Sequence, residues 1–312
     1  MDLDGDGIKD IISGSWPGEI YFFKGIRGGA FAKAETLKHE DGKNINVGNA
    51  SAVAITDWNG NGELDLVIGT IDGDVYFLPQ SGAPRLTFGK QEQIRAGGKP
   101  INIHDGGPFI FDWDGDGIDD LIIGSDDGSV TFFKASKSNG KTTLAEGVVL
   151  IEPLKREEAY SGFKVDPKTK GLINGRSGSR AKVCVADWNN DGKMDLIVGD
   201  FSFIQPEPKN LTPEEEKKRD EIKKLLNESH LTYEKLYEKY EKLTKEKLGY
   251  GVDDESITEE KLNKFYETMF EMMEQDKEYQ EYIEKYSGLY EELSKYEDRP
   301  TMHGWVWVYL RK

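Results

Sequence analysis

Four short apolar runs punctuate the first two-thirds of the chain, each closed by glycine: Ile11-Ile-Ser-Gly14, Leu66-Val-Ile-Gly69, Leu121-Ile-Ile-Gly124 and Leu196-Ile-Val-Gly199. Runs this short and rich in branched residues predict strands buried on both faces. The surroundings repeat as well. In the second unit, Ala50–Ile55 reads as a first strand and Leu66-Val-Ile as the second. The turn Ile71-Asp-Gly-Asp74 then leads to a third strand, Val75–Leu78, and Phe88–Ile94 reads as a polar outer strand. The third unit matches it with Phe109–Phe111, Leu121-Ile-Ile, Val130–Phe133 and Gly147–Ile151. Four-stranded units repeating at this length predict sheets that bury their faces against one another.

The fourth unit departs from the rule. Its second strand ends near residue 200, yet its third, Trp305–Leu310, comes about a hundred residues later. The intervening charged segment has a helical period. Thr212-Pro-Glu-Glu-Glu216 is a helix start: capping threonine, proline at the first position, acidic first turn. Ile222, Leu226, Tyr233, Leu236, Tyr240 and Leu243 follow at helical spacing, and Gly249-Tyr-Gly251 breaks the run. A second helix from Thr258 carries Leu262, Phe265, Met269, Met272, Tyr279, Ile283, Tyr286, Tyr290 and Leu293. This predicts an antiparallel hairpin with coiled-coil-like periodicity, each arm about 50 Å long at 1.5 Å per residue. Tyr237, Tyr266 and Tyr282 lie beside the stripe. The domain reading is therefore residues 1–204 as β units, 205–300 as the helical insertion and 301–312 as the last strand.

Chemistry enters in the loop before each second strand. Asp2-Leu-Asp-Gly-Asp-Gly-Ile-Lys-Asp10, Asp57-Trp-Asn-Gly-Asn-Gly-Glu-Leu-Asp65, Asp112-Trp-Asp-Gly-Asp-Gly-Ile-Asp-Asp120 and Asp187-Trp-Asn-Asn-Asp-Gly-Lys-Met-Asp195 share one spacing. Oxygen side chains at positions 1, 3, 5 and 9, with glycine at 6, suit Ca²⁺, which takes six to eight oxygens at about 2.3–2.6 Å. The candidate ligands are Asp2, Asp4, Asp6 and Asp10; Asp57, Asn59, Asn61 and Asp65; Asp112, Asp114, Asp116 and Asp120; and Asp187, Asn189, Asp191 and Asp195. The position-7 carbonyls of Ile8, Glu63, Ile118 and Lys193 complete the sets, for up to four ions. The first and third loops offer four carboxylates, the fourth three and the second two, so the second is expected to bind most weakly. Position 12 lacks the glutamate of a helix–loop–helix site, so the loop bridges strands. The plainer alternative is that these are ordinary hairpin turns.

Composition narrows the classes. A formal net charge of −17 disfavours nucleic acid and anionic membranes as partners, since both need a basic patch. Four divalent ions would bring it to about −9, so part of the acidity reads as metal ligand. No apolar run reaches the roughly 18 residues of a membrane span. The single cysteine, Cys184, lies in the apolar run Lys182–Ala186 and is expected to be a buried thiol.

Asp-x-Asp-Gly-Asp-Gly-x-x-Asp followed by Leu-Ile-Ile-Gly resembles the FG-GAP/VCBS repeat, the β-propeller repeat of integrin α subunits. The acidic hairpin before His303-Gly-Trp-Val-Trp307 is similar to the last repeat of one group of bacterial VCBS proteins. The resemblance implies a mainly β fold of about four propeller blades, with the ligand residues above as calcium sites. The family's six to eight blades, and a first unit without its first strand and a last without its fourth, imply a fragment of a larger propeller. Any export signal would lie upstream, and an extracellular, cell-surface or periplasmic location follows. The family's strand order sets all the metal loops at one face. The helical insertion and the connections 39–49, 95–107 and 155–180 then fall at the other, where a protein or glycan partner is expected.

Three functions follow from this reading: a non-catalytic binding or adhesion scaffold, a propeller-based hydrolase or lyase acting on polysaccharide, and a hairpin that mediates assembly. The enzyme reading rests on His104-Asp105 and His303, with no nucleophile elbow or phosphate loop beside them. Trp58, Trp113 and Trp188, each at loop position 2, are expected to pack between units.

Overall fold

The computed structural model describes residues 2–81, 86–138, 141–155, 176–252, 254 and 257–312. Among the described residues it is mainly β, with many antiparallel sheets and three helices. The chain divides into two compact units, Met1–Gln205 with Thr301–Lys312, and Pro206–Pro300.

In the first unit three of the four apolar runs form the middle strands of their sheets, while Ile11–Ser13 lies at the edge of its own. Asp65–Gly69 pairs with Ala52–Thr56 on one side and Val75–Leu78 on the other, and Glu92–Gln93 closes that sheet. Asp120–Gly124 lies between Gly107–Phe111 and Val130–Phe133, with Val148–Ile151 outermost. The first sheet has three strands, Ile11–Ser13, Tyr21–Phe23 and Glu35–Thr36. In the last, Asp195–Ile204 pairs with Ser179–Ala186 and then with both Thr301–His303 and Val306–Tyr309.

Both complete middle strands are buried along their whole length. Successive side chains point to opposite faces, and here they enter different clusters. Leu66 and Ile68 join Ile20, Ile45 and Phe88, while Val67 joins Leu121 and Ile123. Ile122 in turn joins Leu196 and Val198. Each middle strand is thus a wall shared by two cores. Its terminal glycine allows the close approach. A Cβ at Gly69 would run into the carbonyl of Gly106, and one at Gly124 into that of Ala181.

The loop-closing aspartate ties three strands together. Asp65 accepts N–H bonds from Trp58 in the loop (3.0 Å) and from Gln80 just past the third strand (2.9 Å). Asp120 does the same with Trp113 (3.0 Å) and Ala135 (2.7 Å). Asp195 uses Trp188 and Arg311, and Asp10 uses Leu3 and Gly25. All four are buried, each with at least one N–H donor on each oxygen.

Two sequence expectations are corrected here. The segment Phe88–Ile94 is not one outer strand: Thr87–Phe88 pairs in parallel with Lys38–His39, and only Glu92–Gln93 joins the sheet. Cys184 is exposed. Its strand alternates, Ala181 buried and Val183 and Val185 half-buried against the cluster, with Lys182 and Cys184 on the open face. The connection expected over 155–180 falls largely on residues 156–175, outside the described residues.

The second unit holds α1 (Pro213–Leu248), α2 (Glu259–Gln275) and α3 (Lys277–Leu293). Thr212 and Glu215 form a reciprocal capping box at the start of α1, and Gly249 at φ 76° ends it. The expected second arm is two helices, because Asp276 leaves the helical region (ψ 130°) and caps α3 through the Glu278 N–H at 2.7 Å. Beyond the break Tyr279, Tyr286, Tyr290 and Leu293 keep to the expected stripe, but Tyr282 replaces Ile283 on it. Met273 is fully buried, and Tyr282, with Tyr279, packs against the seam formed by Leu236, Tyr240, Phe265 and Met269. Ile283, expected on that stripe, is exposed, and so is Leu243. Tyr237 and Tyr266 are half-buried against the same seam.

Gly124→Ala is expected to destabilise the protein by about 1–3 kcal/mol through backbone overpacking. Gly288→Ala, in α3 with open space around it, should stabilise by up to about 1 kcal/mol. Urea unfolding of the two variants checks the contrast. Asp120→Ala strands two N–H donors and should cost about 1–3 kcal/mol in chelator-containing buffer.

Candidate metal centre

Each acidic loop folds around its first residue. Asp112 Oδ1 accepts from the N–H groups of Gly115 (2.8 Å) and Asp116 (3.0 Å), and Oδ2 from Gly117 (2.9 Å). Asp57 repeats this with Gly60, Asn61 and Gly62, Asp2 with Gly5 and Gly7, and Asp187 with Asp191 and Gly192. Wrapping the chain this tightly needs positive φ at positions 4 and 6, such as 79° and 86° at Gly115 and Gly117. In the fourth loop Asn190 takes the position-4 conformation at φ 58°, which asparagine tolerates.

The other oxygens are set by the same turns. Position 5 accepts the N–H of position 7 in every loop: Asp6 from Ile8, Asn61 from Glu63, Asp116 from Ile118 and Asp191 from Lys193, at 2.8–3.0 Å. Position 3 accepts from position 5 in three loops, through Asp4, Asn59 and Asn189. These bonds fix the amides of Asn59, Asn61 and Asn189 with their oxygens turned into the loop. Burial is graded across the set: position 1 is half-buried, position 5 exposed and position 9 buried in all four loops.

Two of the loops gather acidic groups tightly. Asp2, Asp4 and Asp10 have carboxylate oxygens within 4.8 Å of one another, and so do Asp112, Asp114 and Asp116. Among the described residues no such group of three arises in the second and fourth loops, where amides replace acids, or around any histidine. In the second loop the Glu63 side chain is taken by the Gln80 amide at 2.7 Å. The donors are all hard oxygens, so the residues fit a calcium ion better than a transition metal.

The sequence reading missed two lysines. Lys24 binds Asp4 and, at 2.6 Å, Asp6; Lys134 binds Asp114 and, at 2.6 Å, Asp116. No signal in the loop itself marks them, because each lies at the end of the third strand. The Lys24 ammonium, with the Ile8 N–H, holds the Asp6 carboxyl below the usual range, and Lys134 with Ile118 does the same to Asp116. Asp191 is lowered as well, by the Lys193 N–H and the Asn189 side chain. Burial pushes Asp65 and Asp120 up, against the pull of their N–H donors.

The tryptophans at position 2 diverge. Trp58 is buried, and its carbonyl accepts from Thr142 of the neighbouring sheet. Trp113 is half-buried beneath the Arg311 guanidinium, 4.8 Å from its ring. Trp188 is 61 % exposed, against the expectation of packing, because no further sheet follows it among the described residues.

Of the other candidates, His39 meets the Gly89 carbonyl and His303 the Thr301 hydroxyl, both at 2.9 Å. No helix among the described residues is long and apolar enough to cross a membrane.

Comparison with known proteins places these loops. No curated protein matches the chain significantly. Among solved structures, the Tc holotoxin pore of Photorhabdus luminescens is similar at 23 % identity and a TM-score of 0.36, over 64 % of this chain and 8 % of that one. The chain therefore spans under a tenth of that structure's length. Residues 2–68 and 57–123 both match the model of the FG-GAP-like repeat, each match running from the start of one acidic loop through the second strand of the next unit. By these two overlapping matches, residues 2–123 carry FG-GAP-like repeats.

Proposed function

We propose that the chain is part of a calcium-stabilised β-propeller that serves as a non-catalytic binding scaffold outside the cytoplasm. The observation that carries this reading is the repetition of one oxygen shell. Four loops present position 1, 3, 5 and 9 oxygens in the same hydrogen-bonded wrap, each ending on a buried carboxylate at a three-strand junction. The proposed ligands are the side-chain oxygens of positions 1, 3, 5 and 9 with the carbonyls of Ile8, Glu63, Ile118 and Lys193. When bound, calcium would neutralise the clustered acids and lock the loop to the sheet.

The domain reading proposed with it is 1–204 for the blades, 205–300 for the inserted helices and 301–312 for the returning strand. The acidic loop and the turn after the second strand lie at opposite ends of that strand, since both neighbours pair antiparallel. The scaffold role assigns metal to the loop end and a protein or glycan partner to the turn end. Extracellular calcium modules work at about 10⁻⁴–10⁻³ M, concentrations met outside cells, which supports an exported location.

A thermal melt with EGTA and with millimolar calcium, paired with titration calorimetry, tests this. The expected result is a calcium-dependent rise in Tm with about four ions bound. A cooperative melt that calcium leaves unmoved would reduce the loops to turns. Asp112→Ala is expected to lose more of the calcium-induced Tm shift than Asp57→Ala, because the second loop faces the ion with fewer charges.

A further inference from the structure

The two lysines missed in the sequence occupy one position of the repeat. The residue that follows each third strand by two donates its N–H to the position-9 aspartate: Gly25 to Asp10, Gln80 to Asp65, Ala135 to Asp120 and Arg311 to Asp195. The residue just before that donor is Lys24, Pro79, Lys134 or Leu310. Its backbone is therefore fixed next to the loop in all four units, and only its side chain differs.

The choice of side chain follows the loop's charge. Lysine stands where positions 3 and 5 are both aspartate, Asp4 with Asp6 and Asp114 with Asp116. Proline stands where they are Asn59 and Asn61, and leucine where they are Asn189 and Asp191. Each ammonium bridges both acids rather than pairing with one. It thereby sits on the two outermost carboxylates of the shell that a divalent cation would need.

We propose that Lys24 and Lys134 are tethered counter-cations: they keep the first and third loops closed without metal, and calcium binds there only by displacing them. The proposal rests on the calcium reading of the loops. It assigns a physical role to each half of the exchange. Two neighbouring carboxylates repel each other when the loop is empty, and the bridging ammonium removes that repulsion. Once calcium arrives, lysine's flexible stem lets the head swing into water, and both side chains are already over two-fifths exposed. Counting the lysine, the first and third loops carry the same net charge on these positions as the fourth, with its three carboxylates. The device levels the three affinities and leaves the second loop apart.

Titration calorimetry with calcium chloride and melts in EGTA, on Lys24→Met, Lys134→Met and the reverse swap Leu310→Lys, test this. Each lysine removal is expected to tighten one site by roughly tenfold, the effect of lifting one positive charge a few ångströms from a divalent ion near water. It should also lower the Tm in EGTA. Leu310→Lys, at an exposed position, should weaken one site by a similar factor. Calcium uptake by the wild type with no tightening in either lysine variant, or with weakening, overturns the counter-cation role and leaves the calcium reading standing. No uptake by the wild type or by any variant overturns both.

Discussion

The buried aspartate at the end of each acidic loop is the constraint on which the β unit depends. It sits where loop, second strand and third strand meet, and gives one oxygen to each of two backbone N–H groups. A buried carboxylate is costly unless its oxygens are met, and here charge-assisted bonds meet them. Without it, the loop would lose its anchor and the third strand its stop. The same geometry explains why the loop can be an oxygen shell at all. With position 9 held from behind, and position 1 wrapped by the N–H groups of positions 4 to 6, the remaining lone pairs converge on the loop interior.

Much of this was legible because it is local. The nine-residue spacing, the glycines and the apolar run after them encode loop and second strand within about a dozen positions, so the four units stand out in the sequence. The stacking was legible in kind, since Leu66-Val-Ile and Leu121-Ile-Ile can be buried on both faces only between two other layers. The cap at Thr212 and the stop at Gly249 were readable for the same local reason.

What escaped the sequence lies in longer-range geometry. Lys24 follows Asp4 by twenty residues, and only the antiparallel return of the third strand sets it over the loop. Cys184 belongs to an apolar run, but its face is decided by which neighbours cover the strand. Phe88 joins Lys38–His39 through a parallel pairing that no alternation pattern announces. Asp276 is hidden by apolar residues on both sides of it. Met269 and Met272 before it and Ile283 after it suggest one continuous stripe, whereas the break turns Tyr282 inward and Ile283 out.

The strand Asp195–Ile204 has one further consequence. It runs past the length of its counterparts, pairing Ser202 with His303 and Ile204 with Thr301 beyond the part shared with Ser179–Ala186 and Val306–Tyr309. The chain thus leaves and re-enters the sheet on adjacent, hydrogen-bonded strands, and everything between, nearly a third of the protein, closes like a long loop. Loop closure grows only logarithmically costly with length, so a junction whose two ends are already stapled accepts almost any cargo. The corresponding turns at Gly18, Gly73 and Gly128 join their paired strands directly. The staple, and not the length of what lies beyond it, is therefore what holds this last sheet's two strands in register.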